Sequence, residues 1–197
     1  MPAPHHGDLP VQIQGLAKRL RFTALERHHK NRTVIAVYVL INSAISISLL
    51  SVIAMATGEP FVFPSLGPTA FVLFFAALST QSAPRNVFCG HLIGAVAGFT
   101  ALLIFGLQAV PADLEAVTTA RLGAIAFALA VTLSVMIWLG VPHAPAGATT
   151  LIVALGLLRT PGQLAILMAA VVILILQGMA INRLAGIPYP LWKPVSN

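Results

Sequence analysis

Two histidines, one arginine and a set of hydroxyls carry the chemistry open to this chain. His91 lies about two turns inside an apolar run that starts at Arg85. An ionisable side chain at that depth must face the protein interior or a cavity. It can pair with an anion, relay a proton or bond a carbonyl, and His143 has the same three options. Arg85 supplies a charge or snorkels to the interface. The hydroxyls sit in two matched stretches. Ser65, Gly67 and Thr69 belong to one, Gly147, Thr149 and Thr150 to the other. Both stretches are rich in Pro and Gly and both lead into a short apolar segment. A helix starting there offers unpaired N–H groups and the positive end of its dipole. Glycine permits close approach to the backbone. Such a site suits a small anion. The plainer alternative is N-capping and tight packing, with the hydroxyls bonded to nearby backbone.

Other chemistries are missing. The one cysteine, Cys89, cannot build a disulfide framework. No Cys/His spacing fits a structural metal, and no phosphate-binding or dinucleotide motif is present. No nucleophile–base pair suggests an enzyme, and no cofactor is implied. Beyond the first 32 residues the acidic side chains are Glu59, Asp113 and Glu115, all near the ends of apolar runs. A cation carrier or intramembrane protease needs buried carboxylates, so a neutral or anionic substrate is favoured.

The elements that position these residues are membrane helices. The 197 residues are 58% hydrophobic and only 8% charged, against about 25% charged in soluble domains. Mean hydropathy is +0.93. Six of the eleven basic residues precede Thr33: Lys18, Arg19, Arg21, Arg27, Lys30 and Arg32. They abut an apolar run, so the positive-inside rule puts the N-terminus in the cytoplasm and outweighs a nucleic-acid reading. Residues 1–10 read as disordered, and 15–30 as a basic amphipathic helix on the lipid surface. Long apolar spans are predicted at 33–57, 85–108, 121–139 and 164–182, and shorter segments at 68–79 and 146–158. Proline keeps both lead-ins out of regular helix. With the lead-ins extended there are six crossings, the preferred reading. The alternative is four spans plus two re-entrant hairpins. In the six-crossing reading Arg121 and Arg159 fall on the non-cytoplasmic side, as exceptions.

An internal repeat emerges at an offset of 80 positions. Gly67 falls on Gly147 and Thr69 on Thr149. Each half reads as long helix, Pro/Gly-rich lead-in, short helix, long helix. Three crossings per half imply inversion, a transporter architecture with its site near the midplane. The expected organisation is an all-α polytopic protein: tail 1–32, first repeat 33–110, second repeat 111–186 and short tail 187–197. Gly90, Gly94 and Gly98 recur every fourth residue as a close-packing ridge whose neighbour is open. Asn42 and Ser46 lie one turn apart and are minor candidates for a polar path. Tyr189 and Trp192 fit an interfacial anchor.

The stretches Pro64 to Phe74, Pro84 to Gly94 and His143 to Thr150 resemble the HPP family of integral membrane proteins, in order, from about Thr33 to Asn182. The name-giving His-Pro-Pro is broken here, because position 144 is Ala, while His143 and Pro145 remain. Some cyanobacterial and chloroplast members are nitrite transporters. Members are usually described with four membrane segments, and some carry a soluble regulatory domain that is not expected after Trp192. The resemblance implies transport of a small anion such as nitrite in a bacterial inner membrane, with proton coupling as an option. A passive anion channel and a non-transporting sensor or scaffold are the alternatives. The expected substrate contacts are Ser65, Gly67, Thr69, Arg85, Asn86, His91, His143, Gly147, Thr149 and Thr150. Besides the anion, the expected partners are the lipid bilayer and a further copy of the chain.

Overall fold

The computed structural model describes residues 30–194. The expectations for residues 1–29 lie outside them. Six α-helices follow in order: α1 Lys30–Thr57, α2 Leu66–Phe75, α3 Pro84–Ile104, α4 Thr119–Trp138, α5 Ala146–Ala154 and α6 Pro161–Leu184, with a 3-10 turn at Thr80–Ser82. Among the described residues no strand occurs. Four helices, α1, α3, α4 and α6, are long and apolar enough to cross a membrane. Their outward faces carry exposed apolar side chains such as Leu40, Val52, Leu122, Ile137 and Leu176. Lipid covers such faces without penalty.

Local signals set the boundaries. Pro84 and Pro161 occupy first turns, where a missing N–H breaks no helical bond. Thr160 and Gln163 form a reciprocal capping box, which starts α6 at Pro161, three residues earlier than expected. The second span ends at Ile104, four residues short of the predicted Gln108. Gly106 takes a left-handed φ of 66°, and the Leu107 N–H closes back on the Leu102 carbonyl at 2.7 Å. The short helices also differ from expectation. α2 begins at Leu66 because Pro68 is tolerated in its first turn, and stops at Phe75 because Ala76 leaves helical space (φ −121°, ψ 47°). α5 stops at Ala154, before a left-handed Gly156.

The packing repeats between halves. α3 packs on α4 and α5, while α6 packs on α1 and α2. The final helix of each half therefore inserts into the other half. One pair of these contacts recurs after a shift of 80. A Cβ on Gly98 would lie 2.7 Å from the Val153 Cβ, and one on Gly178 would lie 3.1 Å from the Leu73 Cδ1. Both steps, 98 to 178 and 73 to 153, are 80. The lead-in turns match too. The Leu66 N–H bonds the Phe63 carbonyl at 2.9 Å, and the Ala146 N–H bonds the His143 carbonyl at 3.0 Å.

Polar contacts fix which ends of the helices lie together. Near one end, Tyr38 of α1 donates to Asn182 of α6 at 2.9 Å, and Asn182 donates to the Leu73 carbonyl of α2 at 3.0 Å. The Arg85 N–H at the start of α3 bonds the Trp192 carbonyl, and the Arg85 side chain bonds Gly140 just after α4. Tyr189 donates to the Ser82 carbonyl. Near the other end, Arg121 at the start of α4 donates to the carbonyls of Val110, Pro111 and Ala154, at 3.0, 3.2 and 3.2 Å. Segment 58–75 thus runs from the far end of the bundle to the near end, and segment 140–154 runs the opposite way.

Arg121, 4% exposed, is a structural post that ties the end of α5 to the loop after α3. Its position is explained by these three carbonyls, one at the end of α5 and two in the loop after α3. Arg121→Met keeps the stem and removes the donors. At about 2 kcal/mol for the lost charged hydrogen bonds and 2–4 °C per kcal/mol, the detergent-solubilised protein should melt about 4–8 °C lower. An unchanged melting temperature would remove Arg121 from this role.

The glycine ridge gives a sharper contrast. A Cβ on Gly94 would meet the Ala146 carbonyl oxygen and Thr150 Oγ1, both at 2.8 Å, whereas one on Gly67 meets nothing within 4 Å. Gly94→Val should destabilise by about 1–3 kcal/mol or prevent folding, while Gly67→Ala should stay within about 0.5 kcal/mol of the parent. Thermal melts in one detergent compare them directly.

Candidate functional site

The site is built where α2, α3 and the two ends of segment 140–150 converge. Glycines on α3 make room for it. A Cβ on Gly90 would lie 2.8 Å from the His143 Cβ. Only a residue without a side chain lets the His143 loop come this close to α3, and this places His143 next to His91. The two rings are 5.0 Å apart between centroids, tilted by 59°. Both are fully buried, as are Thr69 and Thr149.

Thr69 is the hub. Its Oγ1 donates to the Ser65 carbonyl at 2.9 Å and lies 3.0 Å from His91 Nε2 and 3.3 Å from His143 Nε2. His91 Nδ1 lies 2.7 Å from Thr149 Oγ1 on α5. His91 therefore bridges the short helix of one half to the short helix of the other. His143 Nδ1 donates to the Gln81 carbonyl at 2.8 Å. The Gln81 side chain in turn accepts the Ala144 N–H at 3.0 Å. No carboxylate belongs to this cluster: the acidic side chains among the described residues, Glu59, Asp113 and Glu115, lie in exposed loops. Asp113 is occupied there by the Ala116 and Glu115 amides, which lower its pKa below the ordinary value.

The repeat does not extend to this chemistry. His91 and His143 fall on Val171 and Phe63 at the offset of 80. Thr69 meets both rings, whereas its counterpart at that offset, Thr149, meets His91.

The predicted contacts separate into groups. Thr69, His91, His143 and Thr149 come together. Ser65 joins through its carbonyl, while its buried Oγ has no hydrogen-bond partner, a state shared by Ser46 Oγ. Such buried hydroxyls are uncommon and mark room for another donor or acceptor. Thr150 turns away to Thr132 on α4 at 2.9 Å and to the Ala146 carbonyl at 3.1 Å. Arg85 and Asn86 stand outside the cluster. Arg85 is half-buried, donating to Gly140 at 2.7 Å and to Asn86 Oδ1 at 3.1 Å, and Asn86 donates to the Thr80 carbonyl at 2.8 Å. The simple snorkelling expectation for Arg85 gives way to a bond on the lead-in to His143. Asn42 donates to the Tyr38 carbonyl of its own helix.

Gly67 and Gly147 have open or ordinary surroundings, with Leu129 Cδ1 3.6 Å from a Cβ on Gly147. The amides at the start of α5 are not unpaired as expected. Ala146, Gly147 and Ala148 donate to His143, Ala144 and Pro145 at 3.0, 3.0 and 3.1 Å. These i to i−3 bonds tighten the first turn and use up the donors. The polar groups gathered here are therefore hydroxyl and imidazole rather than the α5 amides.

Sequence reasoning missed Gln81 and Thr132. Gln81 acts through its carbonyl and its side-chain oxygen alike, and lies in a single 3-10 turn too short for any periodicity to point inward. Thr132 is one hydroxyl on an apolar helix, visible only once α5 is placed beside it.

No curated protein and no solved structure matches the chain. The family model described as "HPP, transmembrane region" matches residues 28–190, most of the 197. The chain belongs to the HPP transmembrane family.

Proposed function

We propose that this protein carries a small inorganic anion, nitrite foremost, across a bacterial inner membrane. The observation that carries this reading is the buried, carboxylate-free cluster of Thr69, His91, His143 and Thr149, which joins the short helices of both halves. Hydroxyl and imidazole N–H groups donate hydrogen bonds to an anion, and no fixed negative charge opposes it. The opposite runs of segments 58–75 and 140–154 support inverted halves with six crossings. In such a carrier, rocking of one half against the other exposes a central site to each side in turn. Arg85, on the Gly140 carbonyl, offers a positive charge where the chain turns in toward His143. It draws anions inward on the side held to be cytoplasmic.

Purified protein in liposomes tests the reading. Nitrite should move under a pH gradient or a voltage. Arg85→Gln and His91→Ala should each lower the rate by about tenfold or more, the equivalent of 1.4 kcal/mol, while both variants still elute as folded protein. No nitrite flux under either driving force sinks the proposal. Current driven by voltage without proton movement identifies a channel instead. Intact flux together with loss of cellular function on deleting residues 1–30 identifies a sensor or scaffold.

A further inference from the structure

The hydroxyl of Thr69 has one proton and three claimants. The Ser65 carbonyl can only accept, and each histidine Nε2 lies within hydrogen-bond distance. His143 Nδ1 faces the Gln81 carbonyl, so that nitrogen carries a proton. If both rings are neutral, His143 Nε2 is then a lone pair, and the hydroxyl must turn to it. The Ser65 carbonyl is left without its hydroxyl. His91 then donates from Nε2 to Thr69 Oγ1 and accepts at Nδ1 from the Thr149 hydroxyl. The result is a one-way chain: Thr149, His91, Thr69, His143, Gln81. Adding one proton at His143 Nε2 reverses a single link. Both rings now donate to the two lone pairs of Thr69 Oγ1, and its hydroxyl swings to the Ser65 carbonyl. With no more than one added proton on the pair, all five contacts are satisfied together only in this state. A second proton would put two cations in rings 5.0 Å apart, with no carboxylate between.

We infer that His91 and His143 share one exchangeable proton, with the Thr69 hydroxyl as the switch that reports it to the start of α2. This rests on the anion-carrier reading and gives it a stoichiometry: one proton crosses with each anion. The surroundings bring no competing titrating group. α2, the turn Thr80–Ser82 and α5 contain no ionisable side chain. On α3, Arg85 is engaged with Gly140 and Cys89 is partly buried. On α4, Arg121 is engaged at the end of α5. Tyr38 and Arg183 are bonded to Asn182 and to the Tyr189 carbonyl, and Tyr189 to the Ser82 carbonyl beside Gln81.

Two measurements test this, and they fail separately. The first is nitrogen NMR of histidine-labelled protein with His5, His6, His28 and His29 replaced by glutamine. At alkaline pH His143 should be the Nδ1–H tautomer and His91 the Nε2–H tautomer, and acidification should add one proton to the pair. The same tautomer in both rings, or uptake of two protons in one step, overturns the inference whatever the transport result. The second is nitrite flux in liposomes. It should be electroneutral, with one proton per nitrite and no response to voltage. Thr69→Val should uncouple proton from anion movement, and Thr69→Ser, which keeps the hydroxyl, should restore the coupling. Nitrite flux without proton movement in the parent protein, or coupling that survives Thr69→Val, overturns the inference. Absence of any nitrite flux overturns the carrier reading alone and leaves the NMR result to decide the proton switch.

Discussion

The close approach of α3 to α5 is the contact on which the remaining architecture depends. Gly90, Gly94 and Gly98 leave no side chain between the two helices, and α5 fills the space with Ala146, Thr150 and Val153. In lipid no hydrophobic force draws helices together, so van der Waals contact over a smooth glycine face is what holds such a pair. The consequence for chemistry is direct. Gly90 admits the His143 loop, and the neighbouring His91 then reaches Thr149 on one side and Thr69 on the other. Any side chain at Gly90 or Gly94 would separate the halves at the place where their polar groups meet.

The same contact, repeated as Gly178 on Leu73, explains why the halves are interlocked rather than side by side. A half that kept its own third helix could separate from its partner along a flat seam. Here each third helix packs in the other half, so neither half buries its polar lead-in alone. Irregular backbone survives at membrane depth only when protein covers it. The interlocking supplies that cover for both lead-ins. Tyr38, Asn182 and Leu73 brace one end and Arg121 the other.

Much of this was legible in the residues. The offset of 80 follows from Gly67, Thr69, Gly147 and Thr149, and the same offset relates Gly98 to Gly178 in the packing. The glycine ridge read as a packing face, and its partner proves to be α5 of the same chain. Thr69, His91, His143 and Thr149 were candidates for the site because buried polar groups in an apolar chain must meet one another. Arg121 was read only as a charge on the unfavoured side. Its true role needs two carbonyls of the loop after α3 and one at the end of α5, and sequence spacing cannot bring these together in space. Sequence alone leaves the α5 amides free, as at any helix start, and only the backbone geometry shows them spent on a tight first turn. Arg85 and Asn86 were grouped with the histidines through shared sequence context, yet they lie on the turn outside the cluster.

The departure at Ala144 shows how a local loss is offset by a contact the sequence does not display. A proline there would fix φ and offer no N–H. Alanine restores the N–H, and the Gln81 side chain accepts it at 3.0 Å while the Gln81 carbonyl holds His143 Nδ1 at 2.8 Å. One residue thereby clamps both members of the dipeptide 143–144. Stiffness that a pyrrolidine ring would supply through covalent geometry is supplied here by two hydrogen bonds from a neighbouring turn. Such a clamp fixes the ring orientation of His143 as well as its backbone, because the carbonyl also dictates which nitrogen carries the proton. The tautomer on which the cluster depends is therefore set outside the cluster, in the turn between α2 and α3.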